Sequence, residues 1–199
     1  MDNKFKKSLK FSLSIAVITF VLAAIFSVIS SSVLSGVIWI IGLVIVFIIV
    51  FIGVIFDMLG IAATAAEETP FHAMASEKVA GAKEAIVIVR NADRFASFCN
   101  DVIGDISGIV SGTASAVVVI QLANTFGYSE GSTVQITISV ALTSVVAALT
   151  VGGKALGKFF AIHSSTKIIF FAARVIGWLE KKLKVRLLSN ATASTKKTR

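Results

Sequence analysis

One cysteine among 199 residues, Cys99, excludes an intrachain disulfide, and no CxxC pair or Cys/His cluster is present to hold a structural metal. A single proline and 15% charged residues are too few for an ordinary soluble domain when 56% of the chain is apolar. Mean hydropathy reaches +0.91. Also missing are the G-x-S-x-G, HExxH, Walker-type and dinucleotide fingerprints; Gly152-Gly153-Lys154 lacks the rest of a phosphate loop, so no enzyme is expected. His72 and His163 each lack a nearby second His or Cys and are read as surface or packing side chains.

Basic residues are absent from two long stretches, roughly 11–56 and 99–153. All nineteen Lys and Arg fall elsewhere: four in the N-terminal tail, four between residues 57 and 98, and eleven after Gly153. Runs of about 20 apolar residues cross a hydrocarbon core of roughly 30 Å, and continuous rather than alternating apolarity selects helices over a barrel. Spans at 11–31, 34–58, 99–123 and 132–153 place every Lys and Arg on one side of the bilayer. The expectation is an all-α integral membrane protein of about four transmembrane helices, in the cell membrane with both termini cytoplasmic. The +8 net charge flanks the spans and accompanies no nucleic-acid motif, so membrane lipid head groups, not nucleic acid, are the expected counter-charge. The apolar run from Phe11 to Ile29 follows a basic start, as in a secretory signal. It is longer than a usual signal core of about 7–15 residues, which favours a retained first span over one cleaved near Ala24.

Between spans two and three the pattern changes. Glu67-Glu68-Thr69-Pro70 predicts a helix start with Thr69 as N-cap, and Phe71, Met74, Ala75 and Val79, then Ala82, Ile86 and Val89, recur at helical spacing with a break at Gly81. Two amphipathic helices at about 69–91 are expected at the cytoplasmic interface. A further one, at 163–188, carries Lys167, Arg174 and Lys181 every seven residues, opposite Ile168, Ala172, Val175, Leu179 and Leu183. The tail 189–199 is polar and basic, and disorder is expected there. Residues 1–32 form the tail and extra span, and 33–188 the main domain.

Span three holds the costliest residues. Asn100, Asp101 and Asp105 sit at its cytoplasmic end, where an ionised carboxylate costs several kcal/mol unless paired or hydrated. Asp101 and Asp105 stack one turn apart, beside the run Gly104, Gly108, Gly112, which predicts close helix approach. Carboxylate and carboxamide oxygens suit Mg²⁺ or another hard cation, and Asp57 at the end of span two is a further candidate metal ligand. The bland alternative is that the glycines only pack a helix pair and the aspartates meet water or a basic neighbour such as Arg94.

Three stretches, Gly60-Ile61-Ala62-Ala63-Thr64-Ala65-Ala66, Gly81-Ala82-Lys83-Glu84-Ala85 and Asn91-Ala92-Asp93-Arg94-Phe95, followed by Cys99-Asn100-Asp101, resemble the transmembrane domain of the cyclin M (CNNM)/CorB family of magnesium transport proteins. So does Gly153-Lys154-Ala155-Leu156-Gly157-Lys158 with Ala161-Ile162 and Lys167-Ile168. The resemblance covers about residues 33–188. It implies a homodimer with amphipathic helices belting the cytoplasmic side and a cation site to which Asn100 carries over. Where the family has an acidic residue, a glutamate and a proline, this chain has Gly60, Lys154 and Gly157. Asp57, Asp101 and Asp105 are then the carboxylates left to serve. The chain ends soon after the belt helix, so the family's CBS-pair domain, and nucleotide control with it, is not expected. The reading is a divalent-cation (Mg²⁺-type) transporter or a component of one; the rival is a non-transporting scaffold or regulatory subunit using the same helical domain.

Overall fold

A computed structural model describes residues 2–129 and 131–183, and its side chains from Leu9 to Lys182 apart from Glu130. The expected tail 189–199, and residues 184–188 of the expected last helix, lie outside the described residues. The described residues are helical, with no strand. The order is α1 (Asp2–Ser35), α2 (Trp39–Ala65), α3 (Thr69–Ser76), α4 (Ala82–Arg90), α5 (Ala92–Ser97), a π-helix (Phe98–Gly104), α6 (Asp105–Thr125), α7 (Thr133–His163) and α8 (Ser165–Leu183). Four helical stretches are long and apolar enough to cross a membrane: Leu9–Ser35, Trp39–Ala65, Ala92–Thr125 and Thr133–His163. At 1.5 Å per residue even 27 residues reach about 40 Å, so each overshoots a hydrocarbon core. Relative to the spans that apolarity marked, all four helices end later, the first and third also begin earlier, and the second begins later, at Trp39. The three serines 30–32 are still helical, and the chain turns at Gly36, whose N–H donates to the Val33 carbonyl. Nothing in a Ser-Ser-Ser sequence forces a helix to stop.

The chain forms two compact units. Among the described residues, one comprises 2–56 and 101–155, the other Asp57–Asn100 and 156–183. The first is a bundle in which α1 lies along α6. Leu34, Val46, Val50, Ala114, Val118 and Val146 form one cluster, and Val102, Ile106 and Val110 another against Ile15, Leu22 and Ile49. Close approach occurs at Gly53, where an added Cβ would lie 2.8 Å from the Ser107 Cβ.

The inward face of α6 is a serine stripe, and of the glycine run that the sequence suggested only Gly104 is buried. Ser107, Ser111 and Ser115 are buried, whereas a Cβ at Gly108 or Gly112 would meet nothing within 4 Å. The two stripes have the same four-residue spacing and differ by one residue, about 100° around the helix. Inside an apolar bundle each serine satisfies itself: Ser107 donates to the Ile103 carbonyl (2.8 Å), Ser111 to Gly108 (2.9 Å) and Ser115 to Ser111 (2.7 Å). Gln121 ties two helices together by donating to the Leu34 carbonyl at 2.6 Å.

In the second unit, Ala62, Phe71, Ala85, Ile88, Ala161, Ile169 and Ala173 make the core. α3 begins one residue from the expected place: Glu68, not Thr69, occupies the N-cap position, and Pro70 follows in the first turn, where its missing N–H costs nothing. The end of α3 is a Schellman motif, with Val79 N–H donating to Met74 (3.0 Å) and Lys78 N–H to Ala75 (3.1 Å). Lys78 takes the left-handed position usually given to glycine, at φ 59°. Gly81, at φ 95°, breaks the segment as expected. A Cβ there would also stand 3.1 Å from the Arg174 Cα, so α8 crosses α4 at backbone contact. The buried face of α8 is Ile169, Ala172 and Ala173, and Val175, which the sequence sets on the apolar face opposite the basic residues, is 41% exposed.

Candidate functional site

A seven-residue π-helix, Phe98–Gly104, occupies the stretch that the sequence marked as the candidate site. Its i→i+5 hydrogen bonding widens the backbone, a rare feature that is frequent at functional positions. Asn100 and Asp101 lie within it, and Asp105 is the first residue of α6.

Each candidate ligand has a distinct environment. Asp101 is exposed, and so is Asp105, whose side chain is 63% accessible. Asp105 Oδ1 lies 3.6 Å from Lys154 Nζ. That lysine stands at the position where the resemblance expects a glutamate, and it was not foreseen as the partner of Asp105, because 49 residues separate the two in sequence. Asn100 packs against α2 within the second unit: a Cβ at Gly60 would overlap its Oδ1 and lie 2.7 Å from its Cγ. The Asn100 Oδ1 is buried and accepts no hydrogen bond among the described residues. Asp57 is buried at 8% exposure. It belongs with Asn100 to the second unit, whereas Asp101 and Asp105 belong to the first. Among the described residues no three of His, Cys, Asp or Glu gather in a metal-holding group.

Glycine at position 60 has a steric meaning, since only a residue without a side chain leaves room for the Asn100 carboxamide. Within the first unit the pattern is a pair of outward-facing carboxylates one turn apart and one ammonium group. An apolar cavity of about 410 Å³ beside Trp39, Leu43, Val118 and Leu142 is lined by apolar side chains and offers no ion ligand.

A second polar cluster escaped the sequence reading. Glu68 Oε1 accepts from Arg90 Nε at 2.5 Å and bonds His72 Nε2 at 2.7 Å, and Arg90 Nη2 lies 3.4 Å from the same imidazole nitrogen. The four-residue spacing of Glu68 and His72 was a signal for half of it; Arg90 arrives only through the packing of α4 on α3. The hydrogen bond from His72 holds the Glu68 carboxyl below its ordinary value, with Arg90 adding to the effect against a smaller contribution from burial. The cluster clamps α3 to α4.

Comparison of the chain with protein-family models, with curated proteins and with solved structures gives no match.

Proposed function

We propose that this chain is a multi-pass helical protein of the cell membrane that handles a divalent cation of the Mg²⁺ type, as a transporter or a component of one. The observation that carries the reading is the π-helix placed over Asn100 and Asp101 and followed at once by Asp105. A widened turn inside an apolar span is kept at a cost in helix geometry, and two carboxylates beside it are costly in hydrocarbon. A partly hydrated hard cation offsets both, because it takes oxygen ligands and needs few from the protein. Asp101 and Asp105, which lie in one unit, are the carboxylate ligands in this reading. The resemblance to the CNNM/CorB transmembrane domain supports it, as does the basic-residue map, which puts both termini and the site on the cytoplasmic side. The open faces of Gly108 and Gly112 leave small residues for a second copy to pack against in a homodimer.

One observation favours the rival scaffold: Lys154 already brings a fixed cation to Asp105. The two readings part in thermal unfolding of the purified full-length protein with and without millimolar Mg²⁺ or Mn²⁺. A bound cation at 100 times its Kd stabilises by about 2.7 kcal/mol. On the transport reading the wild type gains stability, Asp101→Asn does not, and Lys154→Met gains more because a competing cation is removed. No metal effect in wild type, Asp101→Asn and Asp105→Asn alike, with Lys154→Met destabilised in every condition, replaces the transporter by the scaffold.

A further inference from the structure

Helix α8 divides into three sectors. Its inward face, Ile169, Ala172, Ala173 and the buried Gly177, completes the core of the second unit. On the opposite side Phe171 and Trp178 are 69% and 58% exposed, and Val175 lies beside them. Flanking that apolar sector, Lys167, Arg174 and Lys181 are all exposed. They recur every seven residues, a spacing that drifts by only about 20° around the helix, so they form one stripe. Lys182, about 100° further round than Lys181, lies on the other side of Trp178, its Nζ 4.8 Å from the ring centroid, so basic side chains border the aromatic sector from both sides. The single acidic residue of α8, Glu180, falls on the inward sector and is part-buried.

A helix that needs only its inward face for the protein core has no packing reason to expose a large aromatic sector. It has no stability reason to line that sector with four like charges either. Both features have one common answer in an anionic leaflet, where the aromatic sector enters the acyl boundary and the basic stripe meets the phosphates. We infer that α8 is an anionic-phospholipid recognition surface, selective for negatively charged over zwitterionic head groups through Lys167, Arg174, Lys181 and Lys182. Complementarity of charge chooses the occupant: an apolar protein groove would satisfy Phe171 and Trp178 but leave the stripe unanswered. Because the same helix walls the core containing Ile88 and Phe71, lipid binding also braces α4 and α3. The inference does not depend on whether any cation is carried, and its test contains no divalent metal.

The chain has two tryptophans, so Trp39→Phe leaves Trp178 as the sole indole. The full-length variant is reconstituted in phosphatidylcholine bilayers containing equal small fractions of chain-brominated phosphatidylcholine or chain-brominated phosphatidylglycerol, and quenching of Trp178 is read. Stronger quenching by the anionic lipid is expected. Lys167→Gln, Arg174→Gln and Lys181→Gln together should lower the relative affinity for it by roughly fivefold for each charge removed, while quenching by the zwitterionic lipid persists. In the parent variant, without the charge substitutions, 0.5 M salt should erase the preference, since surface charges are then screened. Equal quenching by the two lipids at low salt overturns the inference. So does a preference that survives high salt, or a Trp178 that neither lipid quenches.

Discussion

The contact between Gly60 and Asn100 carries a prediction whose sign is set by two opposing effects. Ala in place of Gly60, in the interior of α2, gains up to about 1 kcal/mol of helix propensity. Against this, the new Cβ overlaps Asn100 Oδ1 and sits 2.7 Å from Cγ and 3.0 Å from Nδ2, well inside ordinary contact. The carboxamide must swing away, and overpacking of this kind costs about 1–3 kcal/mol. Gly60→Ala alone is therefore expected to lose up to about 2 kcal/mol, the difference between the two effects. In an Asn100→Ala background the obstacle is gone and the same substitution should instead stabilise by up to about 1 kcal/mol. The coupling between the two positions is then about 1–3 kcal/mol. It can be read from unfolding free energies in mixed micelles as the denaturing detergent fraction is raised, for wild type, both single variants and the double variant. If Gly60→Ala has the same effect in both backgrounds to within about 0.5 kcal/mol, the contact does not exist as described and the steric account of Gly60 fails.

The same measurement separates the two stripes of α6: Gly53→Ala, with its Cβ 2.8 Å from that of Ser107, should cost about 1–3 kcal/mol, whereas Gly108→Ala and Gly112→Ala, which meet nothing within 4 Å in one copy, should gain up to about 1 kcal/mol each in the dissociated protein. Lys78→Gly relieves the left-handed C′ position of α3 and should stabilise by about 1 kcal/mol; a loss would show that the Lys78 side chain contributes more than its backbone costs. Glu68 has a folded pKa below its ordinary 4.5, so the folded state binds protons less readily than the unfolded one. Its contribution is complete above pH 4.5 and is lost as pH falls through the lowered folded value. The stability difference between wild type and Glu68→Gln should thus be flat at neutral pH and shrink only in acid; a difference that already shrinks between pH 6 and 8 would show that the Glu68 carboxyl is not the controlling group.

Apolar run length and the placement of nineteen basic residues carried the helical class and the four candidate spans, because both are properties of single segments read along the chain. The breaks at Gly81 and before Pro70 were equally local, since φ and the lost N–H belong to one residue. Asn100, Asp101 and Asp105 drew notice because charge inside an apolar run is visible without a fold. Tertiary structure alone decided which face of each helix looks inward. Two small-residue stripes one position apart on α6 are indistinguishable by spacing, and only the packing of Ser107 against Gly53 chose the serines over the glycines. The pairing of Asp105 with Lys154, the joining of Arg90 to Glu68 and His72, and the room that Gly60 leaves for Asn100 all link residues on different helices. Helix periodicity orders neighbours three or four residues apart and carries no information on which helix lies alongside. That choice is made by burying complementary surfaces, and it exists only once the helices have packed.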